Sequence, residues 1–238
     1  MSRYAISDLH GRYDLYQEVK KFLKSNDTVI CLGDCGDRGS GSWETIKSIA
    51  SDPQFKYFMG NHEHLLAHAM KQYIDGMSLY YVNALQDCVD NGGLETLNEW
   101  IDNGANRGWI KYLLNLEKAT SFENESGITI MLSHAGFTPG KEIDPSYDLI
   151  WDREHLKDEW PRDKKWNNTL IVHGHTPVQF IKPNSQSAIW YANTHKIDID
   201  CGSVWSGRAC LLDLDTLDEH YFDCGPTEDD FIEEIVDV

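Results

Sequence analysis

The sequence contains no long apolar segment, and this absence excludes a class of proteins. No run approaches the roughly 18 consecutive apolar residues that a membrane-spanning helix needs. The N-terminal residues also lack the basic stretch followed by an apolar stretch that marks a secretory signal. We therefore expect a cytoplasmic protein without a membrane partner.

Positive charge is scarce in this chain. Lys and Arg together number 21 against 39 Asp and Glu residues, which gives a formal net charge of −18 at pH 7. Nucleic acids and anionic membrane surfaces repel a protein of this charge. We therefore expect no nucleic-acid partner, and any anionic ligand must be attracted by a local group of basic residues.

Paired cysteine motifs are absent as well. The six cysteines are scattered without the spacing of a zinc knuckle. A chain of 238 residues is long enough to bury a large core, so it needs no disulfide bonds for stability. We expect reduced thiols and a single domain over residues 1–225, followed by an acidic C-terminal tail over residues 226–238.

Short apolar runs alternate with helix-like segments, a pattern typical of α/β folds. Residues 3–7 and 28–32 are predicted strands, and the amphipathic segment 15–23 between them is a predicted helix. From about residue 64 to 116 the apolar spacing becomes helical, which predicts a helical insert. A further helix is predicted over 43–50, and further strands over 55–59, 128–132, 169–172, 197–199, 209–214 and 219–222.

Five short motifs rich in metal-binding side chains each follow a predicted strand. The carboxyl ends of strands in α/β folds share an edge of the sheet, so we expect these motifs to converge. Their carboxylates, amide and imidazoles suit two divalent cations, and together they predict a phosphoester hydrolase. The motifs are Ser7-Asp8-Leu9-His10-Gly11, Gly33-Asp34-Cys35-Gly36-Asp37-Arg38-Gly39, Gly60-Asn61-His62-Glu63, Ser133-His134-Ala135-Gly136 and His173-Gly174-His175-Thr176.

The spacing within the motifs suggests how two cations would be shared. Asp8 and His10 are alternate residues of an extended segment, so both can face one ion. Asp34 is the natural bridge, because the two oxygens of a carboxylate can bind two ions. The remaining predicted ligands, which would complete the second ion's shell, are Asn61, His134 and His175.

Other residues of the motifs predict the handling of a phosphorylated substrate. Water shared by two cations has a lowered pKa, so a metal-bridging hydroxide could attack phosphorus directly and in line. His62 follows Asn61 and could donate a proton to the leaving group, with Asp37 orienting it. Arg38 and Arg153 offer planar donor groups that match phosphate oxygens.

As a set, these motifs resemble the phosphoprotein phosphatase family of metallophosphoesterases, in the compact bacterial and phage branch similar to lambda phosphatase. They run over roughly the first three quarters of the chain. The resemblance implies a four-layer α/β sandwich of two mixed sheets flanked by helices. It also implies the ligand roles given above, the His62 and Asp37 acid pair, and two metal ions, usually manganese, with iron or zinc as the other candidates.

Two positions blur the family pattern. Cys35 and Gly36 occupy places where a bulkier apolar residue is common, and a thiol beside two cations would be open to oxidation or to soft metals. His173 and His175 flank one glycine, and only His175 precedes Thr176 as the family ligand does. We expect His175 to bind the metal and His173 to support the ligands.

The motifs define a chemistry but leave the substrate open. The leading hypothesis is a serine/threonine protein phosphatase; the alternative is a symmetrical diadenosine tetraphosphate hydrolase, which needs a longer cationic and aromatic groove. A remote alternative is an inactive module that recognises phosphorylated partners. The partner is thus a phosphoprotein or a phosphorylated small molecule.

The aromatic side chains of the helical insert are expected mainly in the core, although one could stack a base. They include Tyr73, Tyr80, Tyr81 and Trp100.

Overall fold

The computed structural model describes residues 1–76, 83–191 and 195–226. Most of the predicted acidic tail, Tyr80 and Tyr81 lie outside these residues. The described strands are β1 (Arg3–Ile6), β2 (Thr28–Cys31), β3 (Phe55–Tyr57), β4 (Ala119–Glu123), β5 (Thr129–Ser133), β6 (Thr169–His173), β7 (Ile189–Tyr191), β8 (Lys196–Asp198), β9 (Arg208–Asp213) and β10 (Glu219–Asp223). The described α-helices are α1 (Tyr13–Phe22), α2 (Ser42–Ser51), α3 (Asn61–Asp75), α4 (Ala84–Asp90), α5 (Leu94–Asp102), α6 (Gly108–Leu114), α7 (Asp148–Trp151), α8 (Val178–Ile181) and α9 (Ser203–Ser206).

The strands form two mixed sheets of five strands each. The first sheet has the order β10-β9-β1-β2-β3. In it β1, β2 and β3 are parallel to one another, and β9 pairs antiparallel with both β1 and β10. The second has the order β4-β5-β6-β8-β7, with parallel central strands and an antiparallel strand at each edge. This arrangement confirms the predicted α/β fold of two mixed sheets.

Alternating side chains place the two sheets face to face. In β1, Ala5 points toward the second sheet and packs in a cluster with Leu132 and Val172, whereas Ile6 points the opposite way, toward the helices. This is the two-residue period of a strand that is buried on both faces. Burial of each large apolar side chain contributes about 1.5–3 kcal/mol, so this double core holds the strand ends in fixed positions.

Helices cover the sheets unequally. Side chains from α1, α2, α3, α5 and α6 pack on the outer face of the first sheet. The outer face of the second carries only short elements, with Phe137, Leu149 and Ile171 in a small cluster. The fourth layer of the predicted sandwich is therefore built from loops, α7 and two 3₁₀ turns. No helix among the described residues is long and apolar enough to cross a membrane.

The segment predicted as a helical insert contains α3, α4, α5 and α6, but α3 begins three residues earlier than the sequence pattern suggested. Gly60 is extended at the start of the helix, and the carboxylate of Glu63 accepts its backbone N–H at 2.9 Å. This one-sided cap by Glu63 fixes the first helical turn soon after β3. Asn61 and His62 are consequently held on a helix rather than on a loose loop.

Candidate metal centre

All five motifs lie at the carboxyl ends of parallel strands, three from the first sheet and two from the second. Backbone hydrogen bonds continue beyond the strand ends. The N–H of Asp8 donates to the carbonyl of Gly33 at 3.1 Å, and that of His10 donates to Asp34 at 2.9 Å. In the second sheet the N–H of Gly174 donates to His134 at 2.9 Å. The motifs are therefore extensions of the sheets.

Strained backbone is concentrated in these motifs. Ten non-glycine residues in the described part of the chain have positive φ, and six of them belong to the predicted site. Such conformations cost energy and persist only where the surrounding structure holds them, which occurs most often at functional sites. The six residues and their φ values are Asp8 (54°), His10 (43°), Asp34 (54°), Asp37 (68°), Arg38 (69°) and His175 (71°).

Two glycines allow the motifs to approach one another. A Cβ atom on Gly60 would overlap the carboxylate of Asp34, and one on Gly174 would overlap the carboxylate of Asp8. Any side chain at either position would push apart two of the motif loops. The glycines are thus required by close packing within the site.

Asp34 is shared by two groups of buried side chains that could each hold a metal ion. Its Oδ2 atom lies 3.3 Å from Nε2 of His134, 3.8 Å from Nε2 of His10 and 3.9 Å from Nε2 of His62. One group contains His10, Asp34 and His62, and the other contains Asp34, His134 and His175. The structure thus brings the predicted bridging carboxylate to the position where two ions could meet.

In the second group, the lone pairs of three side chains point at one another. Oδ1 of Asn61 lies 2.9 Å from Nε2 of His134 and 2.9 Å from Nδ1 of His175. The opposite ring nitrogens face the carbonyls of Leu32 and Trp151 at 3.0 and 3.2 Å, to which they must donate. The two inward nitrogens are therefore acceptors in the neutral rings, and a cation among them and Asn61 would satisfy all three.

Hydrogen bonds likewise orient His10 of the first group and its neighbour Asp8. Nδ1 of His10 lies 3.0 Å from the carbonyl of Gly36, so it is the donor and Nε2 carries the lone pair. This Nε2 lies 4.0 Å from Oδ1 of Asp8. The other oxygen of Asp8 accepts hydrogen bonds from the backbone of His175, at 3.0 Å, and from the hydroxyl of Ser7. Oδ1 is left to face the same space as His10.

Burial and charge shift the pKa values in ways that suit cation binding. Burial holds the pKa of His10 and of His175 well below the usual histidine value, so both imidazoles are neutral and able to ligate. Burial also opposes ionisation of Asp34, but His134 and His62 outweigh it and hold the pKa of Asp34 well below its usual range. His134 is the exception: burial lowers its pKa, but Asp34 and Asp8 outweigh burial and raise the pKa to about 9. Without a cation its Nε2 therefore carries a proton that faces Asn61, and a bound cation would displace that proton.

The donor chemistry of the site therefore fits a pair of divalent cations. It consists of carboxylate oxygens, one amide oxygen and imidazole nitrogens, all buried. Such ligands suit manganese, iron and zinc. Cys35 is not part of this set, because its side chain is buried in the apolar core with its sulfur 3.1 Å from that of Cys31, and burial raises the pKa of the Cys35 thiol well above its usual value.

His62 of the first group forms a hydrogen-bonded chain with Asp37 and Arg38. Nδ1 of His62 lies 2.8 Å from Oδ2 of Asp37. The guanidinium of Arg38 donates to Nε2 of His62 at 3.0 Å and to Nε2 of His10 at 2.9 Å. His62 and Asp37 are buried, whereas Arg38 is exposed, so Arg38 lies at the mouth of the site.

Arg153 also lies beside the site. It follows α7, is exposed, and its guanidinium approaches the carbonyl of His175 at 3.4 Å.

His173 lies outside both candidate cation groups. It is fully buried at the end of β6, and its ring packs against that of His155 with centroids 4.9 Å apart.

The sequence analysis assigned no role to Glu63, whose buried carboxylate holds two of the motifs together. Besides capping α3, its carboxylate accepts the backbone N–H groups of Asp34 at 2.7 Å and Cys35 at 2.9 Å, and the hydroxyl of Tyr57 at 2.7 Å. It thereby ties the second motif to the third. A signal for this role was present, since a glutamate three residues after a strand-ending glycine is a typical capping residue.

Comparisons with known proteins place the chain among phosphoesterases. The sequence model of the family described as calcineurin-like phosphoesterase matches residues 1–207. A curated relative from Klebsiella pneumoniae is 27% identical over 213 residues, covering 78% of this chain and 68% of the relative. Another, from Pseudomonas syringae pv. tomato, is 22% identical and covers 94% of this chain and 90% of the relative. Both are named bis(5'-nucleosyl)-tetraphosphatase, symmetrical.

A solved structure described as a candidate diadenosine tetraphosphatase has the same fold. The similarity covers 95% of this chain and 94% of that one, with a TM-score of 0.62. The two sequences are 15% identical, so the likeness concerns the fold alone.

Proposed function

Because this chain belongs to the calcineurin-like phosphoesterase family, we propose that it is a metal-dependent hydrolase of dinucleoside tetraphosphates. The substrate class is supported by curated relatives named symmetrical tetraphosphatases, one of which aligns with 94% of the chain. These relatives favour this substrate over the phosphoserine and phosphothreonine that the motifs alone led us to expect. They also favour a tetraphosphatase relationship over the lambda-phosphatase-like branch.

Two cation sites sharing Asp34 are the basis of the proposed chemistry. Asp8, His10 and Asp34 would hold one ion, and Asp34 would hold the second with Asn61, His134 and His175. The observation that carries this assignment is the position of Oδ2 of Asp34, within 3.3 to 3.9 Å of ring nitrogens from both groups. When bound, the cations would lower the pKa of a water nucleophile and neutralise phosphate oxygens.

His62 would protonate the leaving group. Symmetrical hydrolysis adds water to one inner phosphorus and breaks its bond to the central bridging oxygen, which leaves two nucleoside diphosphates. The departing oxygen needs a proton or a positive neighbour, and Nε2 of His62 is the ring nitrogen turned away from Asp37. Asp37 would hold the ring in place and stabilise its protonated form.

Arg38 and Arg153 would bind the phosphate chain. Both guanidinium groups are exposed at the site, one against His10 and His62 and the other against His175. A tetraphosphate carries several negative charges, and the protein as a whole repels it with a net charge of −18. Local arginines with planar donor groups are therefore needed to draw the substrate in.

A substrate panel tests this function. The purified protein, loaded with Mn²⁺, is incubated with diadenosine tetraphosphate and with phosphoserine and phosphothreonine peptides, and products are separated by chromatography. We expect diadenosine tetraphosphate to give ADP as its only nucleotide product, with the activity lost in a chelator and in Asp34→Asn. Release of AMP and ATP would contradict symmetrical cleavage. Hydrolysis of the phosphopeptides alone would support the serine/threonine phosphatase, and no hydrolysis with metal bound would support a phosphate-recognition module.

A further inference from the structure

Two stacked aromatic rings lie beside the candidate metal centre. The rings of Tyr147 and Trp151 are inclined by only 16°, with centroids 6.1 Å apart. Tyr147 is 57% exposed, although large aromatic side chains usually bury most of their surface, and Trp151 is partly buried behind it. We propose that this pair is a stacking platform for one nucleobase of the substrate, an inference that rests on the proposed function.

The platform is joined directly to the site. The ring of Trp151 meets that of His175 edge to face, with centroids 6.3 Å apart at 86°. The backbone carbonyl of the same tryptophan accepts the hydrogen bond that fixes the tautomer of His175. Tyr147, Trp151 and the candidate ligand His175 are therefore consecutive neighbours in space.

Arg153 connects this platform to the phosphate chain. It lies two residues beyond Trp151, and its exposed guanidinium reaches the carbonyl of His175. In a dinucleoside tetraphosphate, a ribose and two phosphates separate each base from the bond to be cleaved. A base should therefore lie near the cation ligands, with an arginine close to the phosphates. Tyr147 is joined to His175 through Trp151, and Arg153 contacts the carbonyl of the same His175.

The chemistry of the pair matches a base better than a peptide side chain or a bare phosphate. Every nucleobase has a flat π-face, and stacking on an aromatic side chain is worth about 1–3 kcal/mol per base. Stacking also requires no positive charge, which this protein largely lacks. The platform would thus increase the affinity for nucleoside polyphosphates but not for inorganic polyphosphate, which has no base to stack.

The aromatics of the helical insert are less suitable. Trp100 is only 1% exposed, so its faces are covered by the core. Tyr73 is 48% exposed, but it lies twelve residues after Asn61 on α3, a distance of about 18 Å along a helix that rises 1.5 Å per residue. Tyr73 therefore provides a matched control, since it is a tyrosine of similar exposure that lies far from the ligands.

Tyr147→Ala tests the platform with two readouts, the KM for diadenosine tetraphosphate and the dissociation constant of ADP measured by calorimetry with Mn²⁺ present. We expect both to rise about tenfold, within the range that loss of one stacked base gives. Tyr147→Phe keeps the ring and should stay within about twofold of the wild type. Tyr73→Ala should leave both values unchanged. Tyr147 is exposed, so its replacement should not affect folding, which a thermal melt checks.

The outcomes separate the platform from the proposed function. If the wild type cleaves diadenosine tetraphosphate and Tyr147→Ala leaves both constants unchanged, the platform is wrong and the function stands. If the wild type does not cleave it, the proposed function fails, and the ADP titration then decides the platform alone. Weaker ADP binding by Tyr147→Ala would support it, whereas equal binding, or no binding by either protein, would overturn it.

Discussion

Oδ2 of Asp34 lies 3.3 Å from Nε2 of His134, although the two residues follow strands of different sheets. Asp34 follows β2 of the first sheet, and His134 follows β5 of the second. The candidate metal centre is thus built across the junction of the sheets. Its geometry depends on the apolar core between them, in which Leu32 and Leu132 are both fully buried.

Replacing the shared carboxylate should disturb both cation sites at once. Asp34→Asn keeps the shape of the side chain but removes its charge and one acceptor oxygen, so the protein should bind at most one cation instead of two and lose hydrolytic activity. Metal analysis after dialysis measures the stoichiometry. Asp102→Asn, an exposed residue of α5, is the control and should retain two ions. Two ions retained by Asp34→Asn would contradict a shared ligand.

His62 belongs by distance to the first candidate group, yet we assign it to proton transfer. His62→Asn should therefore retain both metal ions and lower turnover by about 10²- to 10⁴-fold, the range typical of lost acid catalysis. Turnover and metal content are measured on the same preparation. Loss of one ion would make His62 a ligand, and an unchanged rate would remove it from the mechanism. Asp37→Asn should reduce turnover less, since Asp37 does not itself donate the proton.

Glu63 should be important for stability. Glu63→Ala leaves the N–H groups of Asp34, Cys35 and Gly60 without their buried acceptor. Because an unsatisfied buried donor costs about 1–3 kcal/mol, we expect the free energy of unfolding to fall by about 3 kcal/mol or more. Urea denaturation measures the change. Glu159→Ala, at an exposed position, should change it by less than about 0.5 kcal/mol. Equal stability of the two variants would show that Glu63 does not hold the loops.

Lys196 should give the protein a pH-dependent stability above neutrality. It is 1% exposed, and its ammonium group donates to the carbonyl of His155 and, at 3.2 Å, to the hydroxyl of Thr138. Burial lowers the pKa of Lys196 to about 8, whereas an unfolded lysine titrates near 10.4. Between these values Lys196 binds more protons in the unfolded chain than in the folded protein, so its own contribution to the free energy of unfolding should rise with pH from about 8 to about 10. Buried thiols with a raised pKa, such as Cys35, contribute in the opposite direction.

The variant Lys196→Met isolates this effect. In urea unfolding at pH 7.5, 8.5 and 9.5, the stability of the wild type relative to Lys196→Met should show an increase with pH on the order of 2 kcal/mol, because the two proteins share every other titrating group. Lys24→Met, at an exposed position, should keep it. Parallel pH profiles for the wild type and Lys196→Met would show that this lysine titrates normally.

Much of the fold could be predicted from the sequence because its strands are buried on both faces. Such strands are continuous apolar runs that end abruptly at glycine or a polar residue, and β1, β2, β5, β6 and β9 were all located in this way. β4 and β7 were missed; both lie at sheet edges and none of their described residues is fully buried, although β10 shares these properties and was predicted. Edge strands carry a weaker apolar signal.

The candidate site was predictable to a similar degree. The side chains that converge in its two candidate cation groups could be named because each follows a strand, and strand ends converge in this class of fold. The aromatic pair beside His175 could not be named in this way. Trp151 ends a four-residue helix and Tyr147 immediately precedes it, and the position of this helix depends on how a loop packs over the second sheet. Sequence patterns reveal which residues a sheet brings together but not which loop residues pack beside them.

The most direct test of the paired-cation centre is anomalous X-ray diffraction from crystals grown with Mn²⁺. We predict two anomalous peaks about 3.5–4 Å apart, one beside Asp8 and His10 and the other beside Asn61, His134 and His175, with the carboxylate of Asp34 between them. A single peak, or peaks that do not contact Asp34, would contradict the account.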